Sequence, residues 1–176
     1  VLYCSQYLKH VVLTKSFGKR MNVWKYIAGV VDSAGSAANQ LYYPYGIFVD
    51  TNFNLYIADS TNNRIQKYAP GDINGTTVAG GSVASLTVTL TTPTAVILDA
   101  DGYLFIVDKG KHRIIGSDAN GFRCIVACSG SAGSTTTTLY SPPAMAFDTD
   151  GNLYVVDWGN DRIQKFMLIT TTCGKT

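Results

Sequence analysis

Short apolar runs, each closed by an aspartate and a turn, recur along this chain. Gly46–Asp50 (GIFVD), Ala95–Asp99 (AVILD) and Ala144–Asp148 (AMAFD) form one set, and Leu55–Asp59 (LYIAD), Leu104–Asp108 (LFIVD) and Leu153–Asp157 (LYVVD) form a second. A third set is more polar: Arg64–Tyr68 (RIQKY), Arg113–Ser117 (RIIGS) and Arg162–Phe166 (RIQKF). Runs of five residues rich in Val, Ile, Tyr and Phe are too short for helices and suit strands. The almost wholly apolar first set predicts strands buried on both faces. The polar third set predicts a position nearer a rim. A last strand is expected around Val78 (TTVAG) and Ile125 (RCIVA).

The runs keep one period. Asp59, Asp108 and Asp157 are spaced by 49 residues (108 − 59, then 157 − 108), and Arg64, Arg113 and Arg162 keep that step. So do Asp50, Asp99 and Asp148, and Pro44, Pro93 and Pro142. Four landmarks holding one step identify a repeat array. Four short antiparallel strands per unit predict an all-β fold of β-propeller blades, whose sheets bury their faces only by packing on one another. The boundaries read as a partial, degenerate first blade at 1–29, then blades at 30–80, 81–128 and 129–176, the last stopping in its outer strand. In the first blade, strands are expected over Tyr7–Thr14 and Asn22–Gly29; the step of 49 from Asp59 lands on His10, which is no match.

Pro44-Tyr45-Gly46-Ile47-Phe48-Val49-Asp50, then Asn54-Leu55-Tyr56 ending in Asp59, then Asn63-Arg64-Ile65-Gln66, resembles the NHL repeat over about Gln40–Phe166. The second copy departs from it with Ala95, Tyr103-Leu104 and His112. The resemblance implies NHL-type four-stranded blades, usually six to a ring, serving most often as interaction platforms. With 176 residues and a step of 49, the chain covers roughly three and a half blades. Two expectations follow: a piece of a longer protein, or a homodimer completing a six-bladed ring.

Composition changes the picture little. All 12 acidic residues are Asp, which favours turns over helix interiors. The net charge of +2 is too mild to argue for a nucleic-acid partner by electrostatics alone. No apolar run is long enough to span a membrane, and no leader pattern opens the chain. Abundant Ser and Thr and the acceptor Asn74-Gly75-Thr76 lean toward an extracellular or secreted setting, with a cytoplasmic one as the alternative. Cys124 and Cys128, four apart in one expected strand, would stand about 13 Å apart, too far to bridge. A disulfide from either to Cys4 or Cys173, or buried free thiols, stay open.

The periodic Asp59, Arg64, Asp108, Arg113, Asp157 and Arg162 recur in every full blade and therefore read as structural. Asp99–Gly102 (DADG) and Asp148–Gly151 (DTDG) lack the later ligands of a calcium loop and read as tight turns with glycine at positive φ. Phe53 replaces that glycine, so the first turn is expected to differ. Two histidines, His10 and His112, and no nucleophile elbow leave catalysis little footing. No cofactor or metal is expected. The loops that precede the inner strands and the turns after the second strands should emerge on one face. Tyr42, Tyr43, Tyr45, Lys109, Lys111, His112, Tyr140, Trp158 and Asn160 are the candidate binding residues there, His112 exposed in its turn. The expected function is a non-catalytic binding module for a protein or peptide. The alternative is single-stranded RNA on the same face; less favoured is part of a propeller enzyme whose missing blades supply the ligands.

Overall fold

Antiparallel pairing between consecutive runs produces four small sheets in a computed structural model that describes residues 1–15, 24–81 and 88–167. The first sheet holds β1 (Leu2–Gln6), β2 (Val11–Lys15) and β3 (Lys25–Gly29); the second holds β4 (Pro44–Val49), β5 (Leu55–Asp59), β6 (Arg64–Tyr68) and β7 (Thr76–Gly80). The third holds β8 (Pro93–Leu98), β9 (Leu104–Asp108), β10 (Arg113–Asp118) and β11 (Gly121–Val126). The fourth holds β12 (Met145–Phe147), β13 (Leu153–Asp157) and β14 (Arg162–Phe166). Strand order follows chain order within every sheet. Consecutive sheets pack face on face, with β4 beside β8 and β8 beside β12. This is the all-β architecture of a propeller with an unclosed ring.

Each joint between sheets has its own apolar core. Val12 and Ala28 of the first sheet meet Leu55, Ile57 and Tyr68 of the second. Tyr56, Ala58 and Ile65 meet Val96, Ile106 and Ile115 of the third. Phe105, Val107 and Ile114 meet Leu153 and Val155 of the fourth. Alternation along a strand therefore serves two cores, one on each face. At the second joint the inner strands approach so closely that any side chain at Gly46 would run into the carbonyl of Thr94.

Five expectations need correction. In the first sheet, Tyr7–Lys9 is a 3₁₀ turn rather than strand, and strands flank it at Leu2–Gln6 and Val11–Lys15. Of the strand expected from Asn22, residues 22 and 23 lie outside the described residues, and β3 begins at Lys25. His10 caps its turn in the left-handed conformation, as Asn63, His112 and Asp161 cap theirs. The step from the first sheet to the second is therefore 53 (63 − 10), and His10 matches Asn63 rather than Asp59. By the same register Gln6, paired with Val11, stands where Asp59 pairs with Arg64.

Second, β6 is no rim strand: Arg64, Ile65, Gln66 and Tyr68 are buried. Its polar side chains bond inward, Arg64 to loop carbonyls and Gln66 to the Thr77 hydroxyl. Third, the inner strand β4 is exposed at Tyr45 and only partly buried beyond it, because it is an edge strand whose inner side pairs with no other strand. Fourth, Cys124 and Cys128 do form a disulfide, with Cα atoms 5.6 Å apart. β11 ends at Val126, and Ala127 at φ 55° turns the chain back, so the extended-strand distance does not apply. Cys4 is a free, exposed thiol, and Cys173 lies outside the described residues.

Fifth, the turn at Phe53 has the same geometry as its glycine counterparts. The carboxylate of Asp50 accepts the N–H groups of Asn52 and Asn54, as Asp99 and Asp148 do in their turns. Phe53 is driven to φ 62°, beside Gly102 at 84° and Gly151 at 80°. A bulky residue in the left-handed region costs about 1–2 kcal/mol. Phe53→Gly is therefore expected to raise stability by about 1 kcal/mol, read as a higher urea midpoint at unchanged slope.

Candidate functional site

In the second, third and fourth sheets the end where the 3₁₀ turns lie is organised by one carboxylate. Asp59 accepts the backbone N–H of Tyr42 at 2.7 Å and the Nε of Arg64 at 2.7 Å. Asp108 does the same for Thr91 and Arg113, at 2.6 and 2.8 Å, and Asp157 for Tyr140 and Arg162, at 2.6 and 2.7 Å. The guanidinium of Arg64 then donates to the carbonyls of Ser36, Ala37 and Gln40, and that of Arg162 to Ser134, Thr135 and Thr138. Arg supplies this fork of fixed donors where Lys could not. The Asp–Arg pairs thus lace the loop before the inner strand to the second and third strands. Of the candidate residues, Tyr42, Tyr43 and Tyr140 stand on those laced loops, Tyr45 on β4, and Lys109, Lys111, His112, Trp158 and Asn160 in the turns after the second strands.

A second contact locks each loop to the preceding sheet. Tyr43, Thr92 and Ser141 all adopt positive φ, near 50°. Their N–H groups donate to the left-handed cap of the sheet before: Tyr43 to His10 Nδ1 at 3.2 Å, Thr92 to Asn63 Oδ1 at 2.8 Å and Ser141 to His112 Nδ1 at 3.1 Å. His112 is therefore half-buried in a joint and not exposed in its turn.

The candidate residues gather into two groups over different joints. Over the first, Tyr7 stacks on Tyr43 with centroids 4.4 Å apart and meets Tyr45 edge-on at 6.2 Å. Tyr42 lies 5.0 Å from Tyr43, and His10 touches both. Tyr7, Tyr42 and Tyr45 are exposed, and Leu8 beside them more so. Over the third joint, Tyr140 meets His112 edge-on, and the Lys109 ammonium sits 5.8 Å over the ring of Trp158, which is 65% exposed. Lys111 is exposed nearby in the same turn. Over the second joint the tyrosine positions are held by Thr91 and Thr92, so the two groups do not merge. Asn160 faces inward, its amide donating to Gly133 and Asp157 as that of Asn62 does to Gly35 and Asp59.

Sequence reasoning missed Tyr7, Leu8 and His10. Allowing a step of 53 would have revealed them, by aligning Gln6–Val11 with Asp59–Arg64. An apolar cavity of about 410 Å³ opens elsewhere on the first joint, lined by Tyr3, Tyr26, Phe53, Tyr68 and Ile73. The Tyr68 hydroxyl, whose pKa burial pushes up to about 12, already donates to the Ala38 carbonyl. Among the described residues no three His, Cys, Asp or Glu side chains are grouped to hold a metal, and no helix is long and apolar enough to cross a membrane.

No family model and no curated protein matches the chain. Solved structures do. Virginiamycin B lyase from Staphylococcus aureus shares 15% identity at a TM-score of 0.59, over 96% of this chain and 52% of its own. An auxiliary nutrient binding protein from Bacteroides thetaiotaomicron shares 13% at 0.67, over 93% and 44%. A chain of the nidogen/laminin complex shares 18% at 0.62, over 90% and 54%. These likenesses establish the propeller fold. The chain spans about half the length of each of these structures.

The carboxylates respond differently to their surroundings. Burial raises the pKa of Asp59 against its hydrogen bonds from Asn62, Tyr42 and Arg64. In Asp157 burial also pushes upward, but the bonds from Asn160, Tyr140, Arg162 and Gln164 outweigh it and the pKa falls below 3.8. Asp148, held chiefly by the Asn152 amide, and Asp50, where hydrogen bonds from Asn54 and Asn52 overcome burial, are lowered too. A lowered folded pKa stabilises above the unfolded value and is lost as pH falls through the folded one; the raised Asp59 acts in the opposite direction. Stability should therefore decline on acidification below about pH 4, and Asp157→Asn should decline less steeply in urea melts over that range. The arginines grade by cover: side-chain exposure is 9% for Arg64, 21% for Arg113 and 31% for Arg162. Arg64→Ala, stranding a buried carboxylate, should cost about 3 kcal/mol. Arg162→Ala, where the arginine is more exposed and Tyr140, Asn160 and Gln164 still hold the buried carboxylate, should cost about 1 kcal/mol by the same melts.

Proposed function

We propose that this chain is an NHL-type propeller segment acting as a non-catalytic binding module, with a protein or peptide docking on the aromatic cluster of Tyr7, Tyr42, Tyr43 and Tyr45. The observation that carries the reading is that cluster itself. Four tyrosines and a histidine pack against one another, yet three of the tyrosines keep exposed surface. Rings already braced by neighbours lose little entropy when a partner covers them, which is the property of interface hot spots. The backbone beneath is held twice, through Asp59 and through His10. A propeller neighbour solved in a nidogen/laminin complex lends support from a protein–protein assembly.

The RNA reading draws on Lys109, Lys111, His112, Tyr140 and Trp158. The Lys109 ammonium already covers the Trp158 ring, and His112 is engaged by Ser141, which leaves less free stacking surface there. The lyase neighbour shares the fold at 15% identity, and function resides in sites rather than folds. The disulfide between Cys124 and Cys128 supports an extracellular setting, since such bonds persist where conditions are oxidising.

Random peptides displayed on phage would be selected against the immobilised chain and against a Tyr7→Ala/Tyr45→Ala variant. Both side chains are exposed, so the variant should fold. Enriched peptides should bind the variant at least tenfold more weakly. Peptides that bind both equally would sink the reading, and salt-sensitive retention of random single-stranded RNA on filters would favour the alternative.

A further inference from the structure

The second sheet exceeds its repeat in two places, both at the end opposite the 3₁₀ turns, where β4 turns into β5 and β6 into β7. Phe53 holds φ 62° where the third and fourth sheets place Gly102 and Gly151. Its side chain is 63% exposed, so burial does not offset the strain. Residues 69–75 connect β6 to β7, whereas Ala119 and Asn120 suffice between β10 and β11. The longer loop is fixed in place. The Asp72 carboxylate accepts the Ala69 N–H at 3.1 Å, and the Gly75 N–H donates to the Ala38 carbonyl at 2.7 Å. Any side chain at Gly75 would run into the Tyr68 ring. The loop carries Ile73 out to 80% exposure. Phe53 and this loop both wall the apolar cavity of about 410 Å³ on the first joint.

We propose that this cavity binds a small aromatic molecule carrying one anionic group. Its volume lies within the roughly 300–1,000 Å³ that small-molecule sites occupy. Tyr3 and Tyr26 line it from the first sheet, and Phe53 and Tyr68 from the second. Aromatic side chains on both sides of the joint suit a flat ring system, which they meet through ring faces and edges. Two charged side chains belong to the lining. Asp72 is engaged by its own loop, so Lys25, exposed at the start of β3, sets the sign of the ligand. The strain at Phe53 is then explained, because the left-handed turn carries an aromatic wall in place of the glycine that folding favours. A bound ring would cover Phe53 and Ile73, the most exposed apolar side chains of the second sheet and its loops. The site lies at the other end of the joint from Tyr7, Tyr42 and Tyr45, and it stands independently of the peptide surface proposed there.

Two dyes test this. Anilinonaphthalene sulfonate has the stated chemistry and brightens in apolar surroundings, and phenylnaphthylamine is the same ring system without the charge. Fluorescence titration of the 176-residue chain should saturate at one sulfonate dye per chain. Phe53→Gly relieves strain, so it should melt no earlier in urea than the parent, yet it should weaken the sulfonate dye about tenfold by withdrawing an aromatic wall. Ile73→Ser, at an exposed position, should weaken it about fivefold with an unchanged melt. Lys25→Gln should weaken the sulfonate dye about threefold and leave the uncharged one unaffected. Ile163→Ser, which removes a side chain 68% exposed on the fourth sheet, should change neither. Absence of a saturable signal would overturn the proposal, as would Phe53→Gly and Ile73→Ser binding as tightly as the parent. So would loss of the signal in Ile163→Ser, which would place the dye on open sheet surface instead. Equal weakening of both dyes by Lys25→Gln would overturn the anionic class of ligand.

Discussion

The buried pair of Asp59 and Arg64, repeated as Asp108–Arg113 and Asp157–Arg162, is the constraint on which the arrangement of this chain depends. A five-residue strand cannot by itself hold the dozen or so residues of irregular loop that precede each inner strand. The aspartate closes the hairpin between second and third strands, while its arginine gathers the carbonyls of the incoming loop. One carboxylate thus serves three segments. A buried ion pair is weak evidence for net stability on its own. Here its consequence is geometric: it fixes where the loop leaves the sheet, and so where Tyr42 and Tyr140 stand. In the first sheet Gln6 and Val11 occupy the same positions.

The joints add a second level of order. Each sheet is too thin to have an interior, so its two faces belong to two different cores. Stability is then distributed over joints rather than sheets, and an uncovered face forfeits its share. The same logic accounts for the exposed Leu2 and Cys4 on the first sheet, which stand where Leu55 and Ile57 are buried in the second. It also accounts for the contrast between Asp59, whose burial wins, and Asp157, whose hydrogen bonds win, although their partners are nearly the same.

Repetition made the architecture legible in the sequence, because every full blade solves the same packing problem with the same residues. The step of 49, the strand order and the structural use of Asp and Arg could all be read from three aligned phrases. Departures from the repeat could not. The first sheet follows a step of 53, and forcing 49 on it turned a 3₁₀ turn into strand and hid Tyr7 and His10. Single left-handed residues were equally silent: Ala127 brings Cys128 back onto Cys124, and Phe53 takes a conformation its side chain disfavours. Both follow from local hydrogen bonding or covalent closure overriding residue preference. The polarity of β6 misled for a related reason, since Arg64 and Gln66 are polar for the benefit of an internal network and not of solvent.

What distinguishes one joint from another bears on function. The loop positions at 42 and 43, 91 and 92, and 140 and 141 have identical backbone roles, donating to an aspartate and to a left-handed cap. Those roles use only main-chain groups, so the side chains are left free to differ. They do differ: two tyrosines over the first joint, two threonines over the second, a tyrosine and a serine over the third. Selection for folding alone would accept threonine at all three, as the second joint shows. The tyrosines of the first joint, joined there by Tyr7 and Tyr45, therefore exceed what the scaffold requires. Exposed aromatic surface is unfavourable in water unless something covers it. Its concentration over one joint, on a backbone fixed from two sides, is the feature of this molecule that folding does not explain.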